Sequence, residues 1–180
     1  NPINSDPNNS QPVNNPQNPE KKPIIMPMPV VEEPPITTYQ LGDERHPVSP
    51  EDEEIEYIGE RIRAIENLEN CTKLKKLLLR RNVIKKIENI SHLTGLVELE
   101  LYDNQLKEIE GLETLVNLDT LDLSYNLIKH IQGLSTLKKL RVLFLVENQI
   151  RKIEGVDELS SLYDLDFGSN KITAIENLDK

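Results

Sequence analysis

The stretch LDTLDLSYNLIKHIQGL, residues 118–134, contains the pattern L-x-x-L-x-L-x-x-N followed by x-I-x-x-I-x-G-L. Its anchor is Asn126. The same frame recurs every 22 residues, with anchors at Asn82, Asn104, Asn148 and Asn170. Three residues before the anchors stand Leu79, Leu101, Leu123, Leu145 and Phe167; five before stand Leu77, Leu99, Leu121, Leu143 and Leu165. Apolar residues also hold the columns eight before and two, five and eight after each Asn. A partial earlier unit follows the same register through Ile55, Tyr57, Ile62, Ile65 and Leu68.

A fixed period of this length with this consensus is the signature of a leucine-rich repeat. The L-x-L core alternates, so it reads as a short strand with one buried face. One strand per coil must lie parallel to the next. The expected fold is therefore an α/β leucine-rich repeat solenoid. A curved parallel sheet lines its concave face, and short helical, 3-10 or extended segments return along the convex side. A buried Asn amide can donate twice and also accept, so stacked anchors predict a ladder that satisfies turn backbone groups. The column seven after the anchor holds only Asn67, Asn89, Gly111, Gly133, Gly155 and Asn177, the residue types that tolerate positive φ. Cys71 shares a column with Leu93, Leu115, Leu137 and Leu159, which makes it a small buried apolar residue. Arg63, Lys85, Lys107, Lys129 and Arg151 form one charged row. Glu66, Glu88, Glu110, Gln132, Glu154 and Glu176 form the next. Opposite signs on neighbouring rows predict cross-row pairing on a solvated flank.

Outward from the repeats the chain changes character. All 12 prolines lie in residues 1–50, and seven Asn fall within the first eighteen positions. Such a segment offers little apolar surface to offset the entropy of ordering it. Residues 1–54 are read as a disordered Pro/Asn-rich tail with an acidic end, Glu51 to Glu54. Residues 55–180 are read as the repeat domain, a partial unit plus five units that stops inside a convex arm at Lys180. There Leu162, Leu165, Phe167, Ile172, Ile175 and Leu178 lack a following coil.

The net charge of −10 opposes direct nucleic-acid binding and anionic-lipid docking, both of which need a basic surface. The single cysteine excludes an internal disulfide or a cysteine-clustered metal site. The sequence holds no His-x-x-x-His, phosphate loop or nucleophile elbow. A non-enzyme is expected, with no cofactor and no small-molecule substrate.

Binding residues are sought where strand alternation exposes side chains on the concave face. The column four before the anchor gives Glu100, Asp122, Phe144 and Asp166; its neighbours give Val142, Tyr102 and Tyr125. Phe144, flanked by Val142 and Val146 and ringed by acids, reads as an interface anchor with a polar rim.

The units LYDNQLKEIEGLE, LFLVENQIRKIEG and FGSNKITAIENLD resemble, in order, those of the nuclear leucine-rich repeat regulators of protein phosphatase 1. The Pro/Asn-rich N-terminus does not match the usual acidic one of that family. The resemblance implies a non-catalytic subunit whose concave face binds the phosphatase catalytic subunit and controls its activity and targeting, in the nucleus and cytoplasm. It implies further coils and a terminal cap. The family's docking column carries over to Asp122 and Phe144. Asp166 stands where the family has Glu, one methylene longer. Glu100 joins by its column alone. Arg141-Val142-Leu143-Phe144 also matches the short R-V-x-F docking pattern, but that pattern needs a free backbone that can add to a sheet edge. The rival reading is a structural scaffold of a ribonucleoprotein or a dynein-linked cytoskeletal complex, which use similar coils.

Overall fold

The computed structural model describes residues 37–174. Six three-residue strands form one parallel sheet in chain order: β1 (Glu54–Glu56), β2 (Lys76–Leu78), β3 (Glu98–Glu100), β4 (Thr120–Asp122), β5 (Val142–Phe144) and β6 (Asp164–Asp166). Every pairing shifts by one 22-residue unit, so Ile55, Leu77, Leu99, Leu121, Leu143 and Leu165 stack in a single file. This is the parallel solenoid that the period predicts. The central leucines of β2 to β5 are fully buried, while β6, with no following strand among the described residues, leaves Leu165 partly covered.

The convex return is made of turns, not helix: no helix occurs among the described residues. Each coil uses two successive turns closed three residues apart. Leu93 donates to Ile90 and Leu96 to Leu93, both at 2.9 Å, and the other coils repeat the pair. These bonds join apolar columns, so the segment that buries the side chains also satisfies its own backbone. The left-handed step falls at Asn67, Asn89, Gly111, Gly133 and Gly155, where Gly and Asn predict it, and Asn177 lies outside the described residues. Gly111 and Gly155 have φ of 70° and 69°, and a Cβ at either would meet a carbonyl of the preceding coil at 2.8 and 2.5 Å. At Asn89 the side chain instead donates to the carbonyl of Ile65 at 2.8 Å, the equivalent acceptor.

The Asn ladder forms as expected. The Oδ1 of Asn104 accepts from Ile84 N at 3.0 Å and its Nδ2 donates to Leu79 O at 2.9 Å. Asn126 and Asn148 repeat both bonds with residues 20 and 25 positions earlier. Each amide thus fastens its coil to the previous one through groups that would otherwise be buried unpaired. Cys71 is buried, and desolvation, with Asp52 and Glu69 adding to it, pushes its thiol above the ordinary value.

Two expectations need correction. The boundary of the folded region is not residue 55, because residues 37–54 cap the first coil. Leu41 and His46 are buried. Tyr39 bridges Ile62 in parallel, with Tyr39 N donating to Arg61 O and Arg63 N to Tyr39 O. Asn67 Nδ2 donates to Leu41 O, as Asn89 Nδ2 does to Ile65 O one coil later, so residues 39–41 stand in for a preceding coil. The physical reason is the open edge at Ile62 and Ile65, which a few apolar residues suffice to cover. The remainder of the expected tail, residues 1–36, lies outside the described residues. The flank pairing is also mostly missing. Among the described residues of the two rows only Arg63 and Glu66 approach, at 3.7 Å, and Glu176 lies outside the described residues.

Candidate functional site: the concave strand face

Alternation turns the outer residues of each strand away from the core, and register lines them up across coils. One column reads Glu56, Leu78, Glu100, Asp122, Phe144, Asp166; another reads Glu54, Lys76, Glu98, Thr120, Val142, Asp164. The face has two electrostatic halves.

On β1 to β3 most of the charges pair with one another. Lys76 Nζ lies 2.9 Å from Glu98 Oε2. Arg80 reaches Glu56 Oε1 and Glu100 Oε2, each at 3.0 Å. Burial pushes the Glu100 carboxyl above the usual range; Arg80 opposes this, and the nearby Glu98 and Asp122 add to the rise. Tyr102 and Tyr125 meet with ring centroids 4.8 Å apart. Interaction with Tyr102, then desolvation and the charge of Glu147, raise the Tyr125 phenol. A hollow of about 400 Å³ opens here, lined by Ile58, Arg80, Arg81, Glu100, Tyr102 and Asp122. Ile58 was missed by the sequence reading, although it holds the same column as Arg80 and Tyr102, one unit earlier.

On β4 to β6 the acids have no cation among the described residues. Asp122 Oδ1 accepts from Ser124 N at 2.9 Å, and Asp166 Oδ1 from Gly168 N at 2.8 Å. These matching local bonds fix both side chains. Among the described residues no Lys or Arg pairs with Asp122, Asp164 or Asp166. Phe144 lies between Asp122 and Asp166 in strand register and is half-buried, as are Val142 and Val146. An apolar patch one strand wide therefore sits between fixed, unpaired carboxylates.

All seven expected residues lie on this face, but they fall into two groups. Phe144, Val142, Asp122 and Asp166 are brought together. Glu100 is committed to Arg80, and Tyr102 and Tyr125 to each other. The R-V-x-F match has no free backbone: β5 pairs with β4 and β6, Val142 N donates to Asp119 O at 3.0 Å, and Leu143 is buried. Arg141 forms a two-pronged pair with Asp119, and its guanidinium holds the Asp119 carboxyl below the usual range despite some desolvation.

Among the described residues no cluster of three or more His, Cys, Asp or Glu could hold a metal ion. Among them, too, no helix is long and apolar enough to cross a membrane. A model for leucine-rich repeats in two copies matches residues 94–137 and 138–180. No curated protein is similar enough to count as a match. Among solved structures, internalin C2 of Listeria monocytogenes is 31% identical with a TM-score of 0.63, over 66% of this chain and 52% of that one. A leucine-rich repeat protein of Leptospira interrogans is 27% identical with a TM-score of 0.56, over 59% of this chain and 28% of that one. The chain thus spans about half the length of the first and under a third of the second. The repeat frame, the one-strand-per-coil sheet and these matches together make the chain a leucine-rich repeat protein, a scaffold suited to protein–protein interaction.

Proposed function

We propose that this chain is a non-catalytic regulatory subunit that binds the catalytic subunit of protein phosphatase 1 through its concave face and modulates its activity and targeting, in the nucleus and cytoplasm. The observation that carries the reading is the register Asp122–Phe144–Asp166 on three adjacent strands. The resemblance seen in the sequence assigns docking to this column, and the geometry suits it. A half-buried aromatic can enter a pocket on a partner, and burial at the centre of an interface is where truncation costs most. Carboxylates already positioned by backbone N–H groups lose little entropy on meeting basic groups. Since no cation among the described residues occupies them, complementary charge on the partner would guide approach and fix register.

The test is direct. The protein and the isolated catalytic subunit are mixed and their affinity is measured by calorimetry, beside the Phe144→Ala variant. Saturable binding that the substitution weakens by about thirtyfold, near 2 kcal/mol, supports the reading. Absence of binding by the unsubstituted protein ends it.

A further inference from the structure

The flank beside the concave face carries a row of cations three residues after the anchor position in five successive coils, Arg63, Lys85, Lys107, Lys129 and Arg151, and the row ends at Thr173. Arg63 has Glu66 as its partner at 3.7 Å. The other four are exposed, and among the described residues none lies within ion-pair reach of a carboxylate. Successive coils are about 4.7–4.9 Å apart, the spacing of neighbouring strands. Like charges repeated at that spacing repel, yet the row persists in a chain whose net charge is −10. Two hollows open along the same flank. One, of about 490 Å³, is lined by Thr38, Arg63, Ala64, Val83, Lys85 and Gln105; the next, of about 350 Å³, by Lys85, Lys86, Lys107, Glu108 and Glu110. Lys85 stands between them.

We propose that this flank docks an acidic α-helix of a protein partner, laid along the solenoid axis across the cation row. Registry selects the helix. Acids three and four residues apart lie about 5–6 Å from one another on one helix face, and a helical turn rises about 5.4 Å. That stripe gains only about half an ångström per coil on the cations, which flexible Lys stems absorb. An extended strand repeats a face every two residues, roughly 6.4–6.8 Å, and slips by about a whole coil within three steps. The glutamate row at Glu88, Glu110 and Glu154 runs beside the cations. A narrow acidic stripe avoids it, whereas a continuous phosphate backbone would lie against it. Val83 and Ala64, both half-buried in the first hollow, give the helix a small apolar floor.

The proposal is independent of the reading of the strand face. Its test uses the full chain and a labelled alanine-rich peptide of roughly 18 residues, about 27 Å as a helix, with glutamates at positions i, i+4, i+7 and i+11. The controls are the same composition interrupted by two prolines, and a short DNA duplex. Anisotropy should show the helix binding about tenfold tighter than either control. Lys107→Glu with Lys129→Glu should remove that preference, Lys107→Arg with Lys129→Arg should keep it, and Phe144→Ala should leave it unchanged. Equal affinity for the helix and its proline-broken control would reduce the row to a general polyanion surface and overturn the proposal. Tighter binding of DNA would overturn it in favour of nucleic acid, and no binding of the helix would end it.

Discussion

The two halves of the concave face are built from the same columns, yet one is closed and the other open. On β1 to β3 most charges are answered by a neighbour one coil away, as with Lys76 and Glu98 or Arg80 between Glu56 and Glu100. On β4 to β6 the same positions hold Asp122, Asp164 and Asp166, around Phe144 and without cations among the described residues. A solenoid can therefore separate stability from recognition along its length without changing its backbone. What differs is whether a residue of the neighbouring coil, 20 to 24 positions away, carries the opposite charge.

The largest effect should come from breaking the open half at its core. Leu143 is fully buried, and Leu143→Ala should cost about 2–5 kcal/mol of stability through the cavity it leaves, read by chemical unfolding. Phe144→Ala, one residue on, should leave that curve nearly unchanged and remove roughly 2 kcal/mol of binding to the phosphatase catalytic subunit. If Phe144→Ala unfolds the repeat instead, the division between core and face fails. Asp122→Asn and Asp166→Asn keep their shape and remove charge. Each should weaken binding by about 1 kcal/mol or less, mainly through a slower association that added salt erases.

Arg80→Met sharpens the comparison from the closed side. Its ion pairs are partly exposed, so stability should fall by less than about 1 kcal/mol, and binding should not change. Removing Arg80 also removes the one group that lowers the Glu100 carboxyl. Because that carboxyl is raised in the fold, its contribution is most favourable at low pH. It is lost as pH climbs from the unfolded value, about 4.3, through the higher folded one. In Arg80→Met a Glu100 resonance followed by NMR should titrate at still higher pH; a downward shift would mean that Arg80 does not govern it.

The coil, its register and the ladder were legible because they repeat: a column tested five times over leaves little freedom. The concave placement of Phe144 followed from alternation against Leu143 and Leu145 alone. The cap over residues 37–54 was not legible, since a single copy has no period and its anchors, Leu41 and His46, sit among prolines and charges. His46 is held between Asp43, 3.0 Å from Nδ1, and Glu60, 3.4 Å from Nε2, with the Tyr57 ring edge-on at 5.1 Å. No pattern announces such a cluster. A second left-handed column was also hidden. Arg81, Asp103, Tyr125, Glu147 and Ser169 have φ of 53° to 56°, and glycine marks their column only once, at Gly59 of the partial unit. The N–H groups of Arg81, Asp103, Tyr125 and Glu147 bond to the next coil, as Tyr125 N does to Val146 O at 2.8 Å, and that tertiary bonding overrides a local preference of about 1–2 kcal/mol. The division into closed and open halves was unreadable for another reason: long charged side chains can turn to a neighbour or to solvent, and sequence does not say which.

The Asn ladder reaches back exactly one coil and no further, which makes the molecule's length editable only in whole steps. Inserting one complete 22-residue unit between β3 and β4 would leave each anchor amide an identical set of partners. A 21- or 23-residue insertion would strand the amides on both sides of the junction. The whole-unit insertion would still not be silent. It would carry Phe144 and its two aspartates about 4.8 Å further from the cap and turn them through one more coil of curvature. Any partner that also touches the cap would lose its alignment, so gain or loss of a repeat by duplication alters what the scaffold can recognise before it alters whether it folds.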